Sequence, residues 1–303
     1  MTEAATDEKS RRGERNAKRL PPWFTVRLTA GERLANVRSI VRENRLHTVC
    51  GSAACPNRNE CWNAGTATFL ILGNICTRGC GFCNVAKGRP EGLDGDEPVR
   101  VARAVKMMNL QYAVVTSVTR DDLPDGGASI FAETIRLIRS SVPGCRVEVL
   151  IPDFQGSGAS LKTVLDAQPD VLNHNLETVP SLYPMARPQA DYLRSLGLLG
   201  RAKEQGATTK TGLMLGLGEG VEELRMVLRD LRGIGCDILT LGQYLRPGKL
   251  HLPVSKYYHP DEFSAIRDEA MAMGFSHVMA GPLVRSSYHA GDYGVQDRRQ
   301  EWK

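Results

Sequence analysis

The sequence predicts an α/β fold built on a parallel sheet, and three observations carry that expectation. Six β-rich apolar runs, at 67–73, 112–118, 146–153, 171–177, 208–217 and 238–245, recur along the chain. Amphipathic stretches at 99–108, 130–140, 161–167, 193–205 and 221–233 separate them. This alternation implies parallel strands joined by right-handed crossovers. Many runs also end in polar or glycine-rich residues, as at Thr116–Ser117, Asn173–His174–Asn175 and Gly216–Leu217–Gly218. In a βα barrel such ends gather at one cleft, where active sites form. A chain of 303 residues accommodates one barrel of about 250 residues with short extensions, or two ordinary domains. A doubly wound open sheet would show the same alternation, and periodicity does not separate the two.

The elements follow in order. Residues 1–20 mix basic and acidic side chains and match neither a secretory signal nor an acid-free transit peptide, so a flexible cytoplasmic tail is expected. Leu20 to Phe24 is a stiff aromatic segment, and Leu34, Val37 and Val41 then fall at helical spacing, as in an arm packed on a larger body. After the six repeats, 276–284 is one more apolar run, leading through Arg285-Ser286-Ser287-Tyr288 into a polar tail. No apolar stretch reaches the ~18 residues that span a bilayer, so no membrane partner is expected. The net charge of +5 favours acidic protein partners slightly and gives no reason to expect nucleic acid.

The cysteines are the most informative residues. Cys76, Cys80 and Cys83 form CxxxCxxC directly after the first apolar run. Three thiolates on one tight loop can hold three irons of a four-iron cluster and leave the fourth open to a small molecule. A structural zinc would want a fourth Cys or His close by, and two disulfides within one octapeptide would be strained. Upstream, Cys50, Cys55 and Cys61 form CxxxxCxxxxxC, with longer gaps than a zinc hairpin, and read as a second cluster site. Clustering of six of the eight cysteines between 50 and 83 fits metal ligation in a reducing compartment. Cys145 and Cys236 precede β-like runs and read as small core residues.

The CxxxCxxC loop resembles that of the radical S-adenosylmethionine superfamily. Together with CxxxxCxxxxxC, the intervening Gly65-Thr66-Ala67-Thr68 and the RSSY segment at 285–288, the chain from about residue 20 to 290 resembles the lipoyl synthase family. Many members carry acidic residues where this chain has Gly51 and Ser52, and no ligand type is lost by that change.

The resemblance implies a partial (βα)6 barrel of TIM type at 67–275, an N-terminal arm at 21–66 and a C-terminal extension at 276–303, the extensions carrying an auxiliary cluster. It implies two 4Fe-4S clusters and S-adenosylmethionine as cofactors. Cys76, Cys80 and Cys83 would hold the first cluster, which passes an electron to S-adenosylmethionine to make a 5′-deoxyadenosyl radical. That radical would take hydrogen from carbons 6 and 8 of a protein-bound octanoyl-lysine, positions that no acid or base can deprotonate. Cys50, Cys55, Cys61 and Ser287 would hold the second cluster, the sulfur donor. Ser286 is the neighbour that the motif does not separate from Ser287, and either serine alone would read as a turn residue.

For the cofactor, Asn175 and Glu177 resemble the superfamily's ribose-contacting strand and should share one face. His174, just before them, should point away into the core. Gly216 resembles the glycine that leaves room for adenine, although a strand needing a small residue for packing reads the same way. Thr116 and Ser117 stand at a strand end where they would help hold the methionine amino group or merely cap the strand. Expected partners are octanoylated lipoyl carriers (acyltransferase lipoyl domains or the glycine cleavage carrier protein), an electron donor such as ferredoxin or flavodoxin, and an iron–sulfur carrier that rebuilds the donor cluster. Another sulfur-inserting enzyme of biotin synthase type would lack the CxxxxCxxxxxC arm, and a zinc-binding interaction protein would be colourless.

Overall fold

The computed structural model describes residues 20–26, 31–64 and 67–292. The expected tail up to residue 19, the link at 65–66 and the chain beyond 292 lie outside these. The strands are β1 (His47–Thr48), β2 (Thr68–Ile71), β3 (Ile75–Cys76), β4 (Ala86–Lys87), β5 (Tyr112–Ser117), β6 (Arg146–Leu150), β7 (Val171–Asn173), β8 (Thr209–Leu215), β9 (Ile238–Gln243) and β10 (His277–Gly281). One sheet runs β1-β2-β5-β6-β7-β8-β9-β10, and β3 pairs only with β4. From β2 to β10 every neighbour pairs in parallel, and β1 adds an antiparallel edge to β2. Each of the six expected runs contains a strand. Helices follow them with one buried stripe, as in Val221–Gly233, where Leu224, Val227, Leu228 and Leu231 are buried at helical spacing.

The sheet extends one strand past six repeats. The helix Pro260–Ala272 leads into β10, which pairs with β9 from His277↔Ile238 to Gly281↔Gly242. That helix escaped periodicity because only Phe263 and Ala270 of its side chains are buried. Its start is set instead by a capping box between His259 and Glu262, with Pro260 in the first turn.

The inner face of the sheet carries a polar lattice. Lys210 Nζ on β8 lies 2.8 Å from Glu148 Oε1 on β6, both side chains being 0% exposed. Asn173 of β7 donates to Glu148 Oε1 at 3.0 Å and Tyr112 of β5 to Oε2 at 2.8 Å. Four parallel strands are thus tied by one carboxylate. Removing one partner leaves the other charged and buried, so Lys210→Met should destabilise the fold by about 3–5 kcal/mol. Urea unfolding would detect this; an unchanged midpoint would show that the pair carries no such weight.

The two ends of the chain meet at the first strands. Val37, Cys50, Trp62 and Ala67 form a small cluster on the arm side, and Ala290 packs with Val114, Val171 and Ile238. Asn57 donates to the Leu283 carbonyl at 2.7 Å, and the Tyr288 hydroxyl bonds Glu60 Oε1 at 2.8 Å. These contacts bring the upstream cysteines to the segment that carries the two serines.

Candidate active site

Beyond β2 the chain turns through Leu72 and Gly73, both at positive φ (67° and 87°). It then enters the loop of Cys76, Cys80 and Cys83. Two backbone N–H groups point at Cys76 Sγ, from Thr119 at 3.3 Å and Arg78 at 3.4 Å. Such donors suit a thiolate. The Cys83 N–H closes a turn on the Cys80 carbonyl at 3.3 Å, and Gly81 N–H donates to the Ala186 carbonyl at 2.8 Å.

Arg78 pins the loop from within. Its guanidinium pairs with Asp121 at 2.7 Å and with fully buried Asp153 at 2.6 Å. Burial works to raise the Asp153 carboxyl, but Arg78 more than offsets it and holds the pKa at about 2. Burial pushes the Cys83 thiol up to about 11 and raises Cys80 in the same direction. None of the eight cysteines forms a disulfide. Among the described residues no three ligating side chains converge as around a single ion. A four-iron cluster does not ask this of them, since each thiolate takes a separate iron. The donor set and the N–H groups on Cys76 fit such a cluster.

The expected cofactor residues divide. Asn175 and Glu177 do share a face, with Asn175 Nδ2 3.1 Å from Glu177 Oε1. Glu177 adopts φ 68°, a strained value for this residue, and still pairs with β8 through Leu213. Burial raises its pKa against the opposing pull of Arg187. Asn175 Oδ1 is buried with no partner among the described residues, and so is Ser117 Oγ. Both are left unsatisfied by the chain itself. Thr116 instead donates to the Leu150 carbonyl at 2.8 Å, so its hydroxyl serves the sheet.

Gly216 also serves the chain itself. A Cβ there would collide with the Gln243 amide and the Lys256 carbonyl, so packing demands a glycine at this position. His174 is buried as expected. Its Nδ1 bonds the Ile151 carbonyl at 2.8 Å and burial lowers its pKa to about 4, while Nε2 lacks a partner.

Cys50, Cys55 and Cys61 come from two short helices, Val49–Ser52 and Arg58–Asn63, and the turn between them. Together with Arg285 and Ser287 they line a cavity of about 580 Å³. Burial, then the neighbouring Cys50 and Cys55, push Cys61 up to about 12. Ser286 faces the other way, its Oγ accepting from Asn175 Nδ2 at 2.7 Å. Two glycines make this possible. A Cβ on Gly212 would lie 3.0 Å from Ser286 Oγ, and one on Gly242 would run into the Val284 carbonyl.

Two arginines were not foreseen. Arg187 Nη1 donates to the carbonyls of Asn175 and Leu176 at 2.8 and 2.9 Å, fixing the turn before Glu177. Arg285 lines the cavity beside the upstream cysteines, and burial lowers its pKa against the opposing pull of Cys55 and Glu177. No pattern marks Arg187; the RSSY segment contains Arg285 but does not say where it points.

Comparison with known proteins bears on this arrangement. A profile of the radical SAM superfamily matches residues 70–231, and one of the N-terminal domain of lipoyl synthase matches 1–55. The lipoyl synthase of Rubrobacter xylanophilus is 57% identical over 290 residues, covering 95% of this chain and 90% of that protein. That of Koribacter versatilis is 58% identical over 272 residues, covering 89% and 90%. Among solved structures, methylornithine synthase (PylB) superposes with a TM-score of 0.52 at 16% identity, covering 90% of this chain and 89% of that one. SuiB of Streptococcus suis bound to S-adenosylmethionine gives 0.57 at 10% identity over 74% of this chain and 54% of that one. These two likenesses show the fold.

Proposed function

The chain belongs to the lipoyl synthase family of the radical S-adenosylmethionine superfamily, and from that premise we propose that Cys76, Cys80 and Cys83 hold the cluster that meets S-adenosylmethionine, while Cys50, Cys55, Cys61 and Ser287 hold the sulfur-donating one. The enzyme inserts two sulfur atoms at carbons 6 and 8 of a carrier-bound octanoyl-lysine, with two 4Fe-4S clusters and S-adenosylmethionine as cofactors. When bound, these groups supply the electron, the hydrogen-abstracting radical and the sulfur.

The protein's own residues bind and orient. Ser117 Oγ and Asn175 Oδ1, two of the unsatisfied polar atoms at the strand ends, are proposed to take the amino group and a ribose hydroxyl, with Glu177 beside them for the second hydroxyl. Thr116 and Gly216 act behind them, through the sheet and the β8 turn. Arg285 balances charge between the two cysteine sets.

The carrying observation is the one cavity shared by Cys50, Cys55, Cys61 and Ser287, from which Ser286 is turned away to Asn175. A serine oxygen is a harder and more easily displaced ligand to iron than a fourth thiolate, which suits a cluster that must give up sulfur. Ser287→Ala should keep 5′-deoxyadenosine formation and stall the second carbon–sulfur bond, and Ser287→Cys should slow transfer by holding the cluster too firmly. Ser286→Ala should weaken S-adenosylmethionine binding instead, read by equilibrium dialysis. Normal lipoyl formation by Ser287→Ala together with its loss in Ser286→Ala would reverse the assignment.

The reading extends to organisation and partners. The proposed division is a tail at 1–20, an arm at 21–66, the barrel at 67–275 and an extension at 276–303 that contributes β10. The family acts on lipoyl carrier proteins; an acyltransferase lipoyl domain or the glycine cleavage carrier is the proposed one here. Ferredoxin or flavodoxin as electron donor, and an iron–sulfur carrier for rebuilding, complete the set. Eight cysteines outside any disulfide suit the cytoplasm, and among the described residues no helix is long and apolar enough to cross a membrane.

A further inference from the structure

We propose that the surface over the Cys80–Cys83 turn is the docking face for an acidic, one-electron-carrying protein; this rests on reading Cys76, Cys80 and Cys83 as cluster ligands. Two outer segments lie directly on that turn. The Leu252 N–H donates to the Gly81 carbonyl at 3.0 Å, and His251 Nε2 bonds the Cys83 carbonyl at 3.2 Å. From the other side Gly81 N–H meets the Ala186 carbonyl, and a Cβ on Gly81 would lie 3.0 Å from Leu252 Cγ and 3.2 Å from the Met185 carbonyl. The cysteine turn is therefore one chain thickness below solvent.

What this surface presents is an apolar centre in a basic field. Leu250 is fully exposed and Met185 is 49% exposed, flanking the turn. An isolated exposed leucine is ordinary. Here it sits on a rigid loop, since Arg246 Nε donates to the His251 carbonyl at 2.8 Å, His251 N–H to Gly248 at 3.0 Å, and the Tyr244 hydroxyl to Leu252 at 2.8 Å. The loop holds its leucine out at no entropic cost to a partner.

Charge names the partner. No Asp or Glu occurs in residues 76–90, 184–190 or 238–260, the stretches that build this face. Lys87, Arg89, Arg246 and Lys249 all stand exposed within them. Lys87 Nζ is also bonded to the Cys80 carbonyl at 3.1 Å, which carries the positive field to the cysteine turn itself. A chain whose acidic and basic residues nearly balance overall, 34 against 39, is thus locally one-signed where the cluster loop reaches the surface. Such a field steers an acidic protein into encounter, and a small apolar contact then suffices for a transient complex of the kind electron carriers form.

The electron bookkeeping fits. For each hydrogen abstracted the donor loses one electron. At the expense of that electron the 5′ carbon–sulfur bond of S-adenosylmethionine breaks, leaving methionine and the abstracting radical. Two abstractions per product need two visits by the donor, so a face built for fast dissociation serves the reaction.

The test uses the full chain with both clusters, comparing wild type with Leu250→Glu and Lys249→Glu, singly and together. Each is driven once by reduced flavodoxin, an acidic protein, and once by dithionite, which needs no docking face. With flavodoxin at low salt the double variant should make 5′-deoxyadenosine and lipoyl product at least ~10-fold more slowly, and the wild-type rate should fall as salt rises. With dithionite, wild type and variants should match. Equal rates with flavodoxin overturn the proposal. An equal loss with dithionite also overturns it, assigning the face to the carrier or to loop integrity. If wild type makes no lipoyl product even with dithionite, the functional reading itself fails, an outcome separate from both.

Discussion

Cys80→Ala should abolish 5′-deoxyadenosine formation, and Cys76→Ala and Cys83→Ala should do the same. On the proposed assignment each thiolate would hold one iron, and the loop is too tightly pinned to offer a substitute. Arg78 is locked to Asp121 and Asp153 behind it, and the Ala186 carbonyl holds Gly81 in front. No other cysteine is free to move in, because Cys145 and Cys236 are buried in the core. Iron should fall from about eight per chain to about four on the stoichiometry of two four-iron clusters. Chromatography of deoxyadenosine after anaerobic reduction with dithionite checks the result. A wild-type rate from any of the three variants would sink the assignment of this loop.

Cys55→Ala, with Cys50→Ala and Cys61→Ala, should lose the same share of iron and yet behave oppositely. S-adenosylmethionine should still be cleaved, and no lipoyl product should form. The physical reason is separation. These cysteines line their own cavity with Ser287, and the segment 284–287 stands between it and the Asn175–Glu177 face. Mass spectrometry of an octanoyl-lysine peptide after one anaerobic turnover decides the point. Lipoyl-lysine from any of these variants would remove the cavity from the role of sulfur donor.

Much of this was legible in the chain because it is encoded at short range. The spacing of Cys76, Cys80 and Cys83 limits what three thiols can hold whatever surrounds them. The alternation of apolar runs with amphipathic stretches implied the parallel sheet, since burial on both faces of a strand and on one stripe of a helix leaves a periodic record. The record fails where burial is slight, as in Pro260–Ala272, and a repeat of the sheet was undercounted for that reason.

Side-chain direction at strand ends was not legible. Thr116 and Ser117 look equivalent, but only the fold shows that the threonine hydroxyl donates to the neighbouring strand's Leu150 carbonyl while Ser117 Oγ has no partner among the described residues. Gly216 matches a cofactor pattern, and only the return of the chain at Gln243 and Lys256 reveals that packing also demands a glycine there.

The sequence by itself determined the sheet and the family and pointed to the two cysteine sets, because local spacing and periodic burial survive without three-dimensional context. Tertiary structure alone decided that Ser287 joins the upstream cysteines while Ser286 joins Asn175, 111 residues away. Ser286 and Ser287 are adjacent in a turn, and which of them meets which neighbour depends on what the fold has packed there. Here the absent side chains of Gly212 and Gly242, on two different strands, leave the room that seats the segment.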